Sequence, residues 1–175
     1  MNMKPLKELT EPFDLNPEEL SSRLRYLSIQ KIDYDVYLPT KGINLQRDFV
    51  WTIEQKRELI FSMLIGRHIP HFAVISTIDV NGGDDILQII DGKQRLSTMI
   101  GFYQNKFTIV LENNEYYFKD LPEEYQLAIT SYTIRYYIVY EPYGKPINDK
   151  QKINWFNFIN FAGTPQDVEH LNKLK

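Results

Sequence analysis

Cysteine is missing altogether from the 175 residues. That excludes disulfides, thiol catalysis and cysteine-ligated zinc, and it fits the reducing interior of a cell, so a cytoplasmic location is the expectation. Long apolar runs are missing too. No stretch reaches the roughly 18 apolar residues of a membrane-spanning helix, and Met1-Asn2-Met3-Lys4-Pro5 has none of the apolar core of a signal peptide. No membrane is expected among the partners. Histidine is scarce. His68 and His71 are separated by Ile69-Pro70, and the proline breaks the helical geometry that an i, i+3 metal pair would need; His170 is isolated. The HExxH, phosphate-loop and GxSxG patterns are absent. Charge of one sign is not in excess. Twenty basic against 23 acidic residues leave a net charge of -3, which argues against non-specific coating of nucleic acid but permits a local basic patch.

What is present suits one globular domain. Hydrophobic residues make up 43% of the chain, with 12 Tyr and 10 Phe, enough to build a core and its strands. Residues 1–15 show no periodicity and read as an arm; residues 16–175 read as a single domain. Asn16-Pro17-Glu18-Glu19 has the form of a helix start, with Leu20, Leu24 and Leu27 as its apolar face. Ile32, Tyr34, Val36 and Leu38 alternate with polar residues as in a half-buried strand. Thr52 with Gln55 forms a capping box before a helix reaching about Ile65, and Gly66 ends it. Phe49, Trp51, Leu59 and Met63 are expected in the core.

Strands follow at Phe72–Ile78 and Asp85–Ile90, joined by a hairpin turn at Asn81-Gly82-Gly83. A second hairpin, Phe107–Leu111 with Tyr116–Phe118, turns at Asn113-Asn114. A helix over Pro122–Ile129 and a strand over Thr133–Tyr140 precede a last helix, about Lys150–Phe161, capped by Asn148 or Asp149. The tail from Gln166 holds one more helical turn or two. Mixed helices and hairpins define an α+β class with a small mixed sheet.

The chain is organised around Ile89-Ile90-Asp91-Gly92-Lys93-Gln94-Arg95-Leu96. A β-prone run stops at Asp91-Gly92, and Leu96, Met99, Ile100 and Tyr103 then recur at helical spacing. A helix N-terminus offers unpaired N–H groups and the positive end of a dipole; a glycine there admits a ligand close to the backbone, and Arg95 can close a fork on a phosphate. The same letters also describe a plain turn with its cap. A second Gln-Arg pair, Gln46-Arg47, lies just before another helix. Two converging arginines make an anion clamp, so Arg47 and Arg95 are expected to face each other across one cleft. The alternative is a surface cation at 47 and, at 95, a helix-face residue paired with a carboxylate.

Taken together, these motifs resemble the DUF262 family, the N-terminal domain of GmrSD-type restriction systems, whose fold is related to that of ParB and sulfiredoxin. The resemblance rests on Gln46-Arg47-Asp48-Phe49-Val50-Trp51, Ile69-Pro70, Asp91-Gly92-Lys93-Gln94-Arg95, and Phe156 with Asn160-Phe161-Ala162-Gly163, in family order from about Ile32 onward. Lys93 stands where the family usually has Gln, Leu45 where an aromatic is common, and Phe158 where Arg is often found. The resemblance implies binding of a nucleoside triphosphate with Mg²⁺, with or without hydrolysis, as a regulatory switch in phage defence or DNA-modification sensing. It assigns Gln46, Asp91, Gln94 and Arg95 to catalysis, Arg47, Gly92, Lys93, Arg95 and Asn160 to the nucleotide, and Asp91 to the metal. Longer members continue into an HNH-type nuclease domain. No histidine-based nuclease motif occurs here, so the expectation is a stand-alone member, or one whose effector protein or DNA is a separate partner. A non-catalytic module that keeps the fold is the alternative; a nuclease is the least supported. Association into oligomers is left open.

Overall fold

The computed structural model describes residues 15–77, 85–142 and 144–161. In chain order the elements are β1 (Glu18–Arg23), α1 (Leu24–Leu27), β2 (Lys31–Asp33), β3 (Tyr37–Leu38), β4 (Ile43–Asn44), α2 (Ile53–Leu64), β5 (Phe72–Thr77), β6 (Ile86–Asp91), α3 (Lys93–Tyr103), β7 (Ile109–Leu111), β8 (Asn114–Tyr116), a 3-10 turn (Phe118–Asp120), α4 (Glu123–Ser131), β9 (Thr133–Tyr140) and α5 (Asp149–Phe161). The fold is α+β. Five strands form a mixed sheet in the order β1-β9-β5-β6-β2. The β1/β9 and β5/β6 pairs are antiparallel; β5/β9 and β2/β6 are parallel.

Alternation along the strands divides the core between the two faces. Phe72, Val74, Leu87, Ile89, Ile134 and Ile138 point to one side, where α1 to α4 bring Leu24, Leu27, Ile60, Met63, Leu96, Met99, Phe102 and Ile129. Ala73, Ile75, Ile90 and Val139 point to the other, under the β3–β4 hairpin and α5, with Val36, Leu38, Leu45, Trp155 and Phe156. Both faces of β5 and β6 are therefore covered, which places the end of β6 and the start of α3 between the two layers.

Several sequence expectations hold. Thr52 and Gln55 form the reciprocal capping box of α2, and β9 has the bounds expected for it. Asn148 is the cap of α5: its amide donates to Gln151 Oε1 at 3.1 Å, and the Gln151 amide donates to Asn148 Oδ1 at 3.0 Å. The β5/β6 pair is the expected hairpin; its turn at 81–83, the arm before residue 15 and the tail after residue 161 lie outside the described residues.

Others are corrected. The helix read from Asn16 is a strand up to Arg23. Residues 18 to 23 pair with β9 along its length, and that pairing outweighs the local capping signal because it removes an open edge. Only Leu24 and Leu27 of the predicted apolar face sit in a helix, the single turn of α1. The strand read over 32–38 is broken in two. Asp33 Oδ1 accepts from the amides of Asp35 and Val36 at 3.0 and 2.9 Å, and this side-chain turn swings the chain away from the sheet. The second hairpin turns on Glu112-Asn113, both at positive φ (50° and 67°), as a two-residue turn requires, so its strands are shorter than expected. Phe49 is not core: it is 37% exposed, with the Lys56 ammonium 4.5 Å from its ring centre. Trp51 is half-buried against the first core.

Candidate functional site

The turn from β6 into α3 is where the predicted residues meet. Gly92 is the N-cap of α3 and has φ 95°, a left-handed conformation natural only to glycine. A Cβ built there would lie 2.3 Å from the ring of Phe72. The space that the absent side chain leaves is thus filled by the Phe72 ring. No side chain caps α3, and the amides of Lys93, Gln94 and Arg95 have no acceptor among the described residues. Gly92, Lys93 and Gln94 are all buried. The first amides of any helix lack intrahelical acceptors, and water or an anion can meet them.

The polar side chains of the turn hold other parts of the fold. Arg95 donates to Asp91 Oδ2 at 2.7 Å and to the Pro70 carbonyl at 2.8 Å, and its guanidinium lies 5.2 Å from the Phe72 ring centre. Of the two readings offered for this arginine, pairing with a carboxylate is the one observed. The Lys93 ammonium lies 2.6 Å from Asp35 Oδ1. Gln94 is 9% exposed and works as a clamp: its Oε1 accepts from the Val50 and Trp51 amides at 3.0 and 3.3 Å, and its Nε2 donates to the Asp48 carbonyl at 3.0 Å. Gln46 Nε2 donates to the carbonyls of Ile89 and Ile90 at 3.0 and 2.6 Å. Those carbonyls lie just past the point where β2 leaves β6, since the ladder of β2 ends at Gln88. Gln46 therefore takes up acceptors that a longer neighbouring strand would have used.

The two Gln-Arg segments are joined through the side chains of Gln46 and Gln94. Arg47 lies between Gln46, which binds the end of β6, and Asp48, which is held by Gln94. Its own side chain is exposed and makes no hydrogen bond or ion pair among the described residues. Asn160, near the end of α5, donates to the Phe156 carbonyl at 2.8 Å. Gly163, the glycine of the third motif, lies outside the described residues.

Asp91 supplies the one carboxylate expected for a metal. One oxygen is committed to Arg95, and no group of three or more His, Cys, Asp or Glu that could hold a metal gathers among the described residues. Phe72, Pro70 and Asp35 are the partners that sequence reasoning missed. Each touches the turn through tertiary packing, and the Ile69-Pro70 motif does not show that the Pro70 carbonyl binds Arg95.

An α+β domain whose sheet ends in an Asp-Gly turn clamped to a Gln-Arg segment defines the class. The family described as GmrSD restriction endonuclease, N-terminal domain, matches residues 28–173. The chain belongs to that family. No curated protein and no solved structure matches it. No helix among the described residues is long and apolar enough to cross a membrane.

Proposed function

We propose that this chain is a nucleotide-binding regulatory domain that takes a nucleoside triphosphate with Mg²⁺ at the Asp91–Arg95 turn and passes its occupancy to a separate effector protein or to DNA. The observation that carries the reading is the start of α3, which no side chain caps, with three amides lacking acceptors on residues that include Lys93 and Arg95, each paired with one carboxylate. An anion satisfies such amides, and the helix dipole favours it. The exposed Arg47 beside the turn adds a further cation for phosphate. Asp91 is the residue for Mg²⁺, and Gln46 and Gln94 position the segment that bears Arg47. Asn160 is the contribution of the third motif to the nucleotide, and Lys93 adds charge to the phosphate site.

A second reading, an interaction module without turnover, is favoured by one specific fact. The amides of Gln46 and Gln94, assigned to catalysis by resemblance, are engaged in holding backbone. Calorimetry with ATP, GTP, CTP and UTP, with and without Mg²⁺, followed by phosphate-release assays, separates the readings. Binding that Arg95→Ala weakens by about 10- to 150-fold supports the nucleotide site, one charge-assisted hydrogen bond being worth ~1.5–3 kcal/mol. Binding without phosphate release identifies a sensor. No heat with any triphosphate overturns the nucleotide reading and leaves the interaction module.

A further inference from the structure

Beside Arg95 lies a cluster that the site as described does not use. The segment from Arg67 to Pro70 is pinned at three points. The Tyr132 hydroxyl donates to the Arg67 carbonyl at 2.8 Å and accepts from the Ile69 amide at 3.2 Å, and Arg95 donates to the Pro70 carbonyl at 2.8 Å. His68 lies in this segment and His71 follows directly after it. His71 stands edge-on to Tyr137, ring centres 5.2 Å apart, and His68 lies 6.1 Å from His71. Tyr137 is 39% exposed on β9. A backbone fixed this firmly, bearing polar aromatic rings at the surface, costs little further ordering when a flat ligand stacks on it.

We infer that His71 and Tyr137 form a stacking platform for the base of the bound nucleotide, next to the phosphate-binding turn. This rests on the nucleotide reading above. Two features connect platform and turn. Arg95 reaches the carbonyl of Pro70, the residue preceding His71, so the phosphate arginine and the platform adjoin the same exposed proline. The sheet register also places Asp91 opposite Ala73 and Ala73 opposite Tyr137. Two strand spacings, each about 4.7–4.9 Å, set the backbone of Asp91 and that of Tyr137 roughly 10 Å apart, within the reach of one nucleotide. Rings of this kind accept any base, because every base offers a π face, so the platform contributes affinity more than base choice.

The test compares nucleoside triphosphates with inorganic tripolyphosphate, which carries the same phosphate chain and no base. Calorimetry is run with Mg²⁺ on the wild type and on Tyr137→Ala, Tyr137→Phe and His71→Ala, with melting curves in parallel. The wild type is expected to bind ATP more tightly than tripolyphosphate by about 5- to 150-fold, the range for one stacked base. Tyr137→Ala removes most of that difference while leaving tripolyphosphate binding unchanged, and Tyr137→Phe keeps it. Should Tyr137→Ala lower the melting temperature, His71→Ala and Tyr137→Phe carry the comparison. Equal affinity of the wild type for ATP and tripolyphosphate overturns the platform while leaving a phosphate site standing. Binding of neither overturns the nucleotide reading and the platform with it. An ATP preference that survives both Tyr137→Ala and His71→Ala places the base elsewhere and overturns the platform alone.

Discussion

Gly92→Ala is the substitution that separates a glycine kept for a ligand from one kept for the fold. Two costs combine. The residue sits at φ 95°, where any L side chain is strained by roughly 1–2 kcal/mol. The new Cβ would also start 2.3 Å from Phe72 Cδ1. Phe72 is only 3% exposed and lies under the Arg95 guanidinium, so its ring cannot swing into solvent. Overpacking of that kind costs about 1–3 kcal/mol. The expected destabilisation is about 2–5 kcal/mol, which in a chain of this size lowers the melting temperature by roughly 4–20 °C. Urea denaturation of Gly92→Ala, Phe72→Leu and the double variant gives the cycle. The double variant should recover the packing share and leave the backbone share, because leucine relieves the contact but not the φ. A single Gly92→Ala variant as stable as the wild type would refute the account and return the glycine to the ligand.

Three more perturbations probe the same framework. Gln94→Leu keeps the volume and removes three hydrogen bonds to residues 48–51; it should cost about 1–3 kcal/mol and speed hydrogen exchange at the Val50 and Trp51 amides, read by NMR. Arg95→Ala should lower stability by about 1.5–3 kcal/mol in urea, since the Asp91 and Pro70 bonds are partly buried; an unchanged midpoint would show that they contribute nothing. The Glu115 carboxyl is held below its ordinary range first by the Thr108 hydroxyl and then by the Arg57 guanidinium. Its pKa is lower folded than unfolded, so its contribution is present above the unfolded value of about 4.3 and is lost as pH falls through the folded one. A carbon-detected NMR titration should show Glu115 moving back toward the ordinary range in Thr108→Val.

How much was legible depended on where each signal originates. Periodicity and caps are local, so α2, α3, β9 and the Asn148 cap could be read from neighbouring residues. The start of the chain could not. Asn16-Pro17-Glu18-Glu19 carries every mark of a helix, and only the open edge of β9, more than a hundred residues on, makes it a strand. The site divides in the same way. That the two Gln-Arg segments meet was readable from the motifs. That Gln94 spends its amide on the backbone of residues 48–51, that Lys93 pairs with Asp35, and that Phe72 fills the space at Gly92 are products of packing between distant segments. A motif records which residues a turn needs. It does not record whether each serves the ligand or the turn itself.

The donor and acceptor count at the turn shows how both uses can coexist. A guanidinium has five N–H groups, and Arg95 spends one on Pro70 and one on Asp91. The remainder can meet a phosphate without breaking either bond, so occupancy need not unlatch the turn. An ammonium has three, and Lys93 spends one on Asp35. The glutamines differ. Both N–H groups of the Gln46 amide are taken by Ile89 and Ile90, which leaves its Oε1 as an acceptor. Gln94 has its oxygen shared by two amides and keeps one N–H in a buried position. Of the two glutamines, then, only Gln46 keeps an oxygen that could accept a hydrogen bond from an attacking water while its nitrogen anchors it to β6. Gln46→Glu tests this. It keeps the oxygen and replaces the donating nitrogen with a second acceptor facing two carbonyls, so it should destabilise the fold by about 1–3 kcal/mol. Gln46→Met removes acceptor and donor alike at similar volume. If the chain hydrolyses nucleotide through that oxygen, Gln46→Met should abolish phosphate release while triphosphate binding persists. Release that continues at the wild-type rate in Gln46→Met would remove Gln46 from the chemistry and leave it as the side chain that ends the sheet.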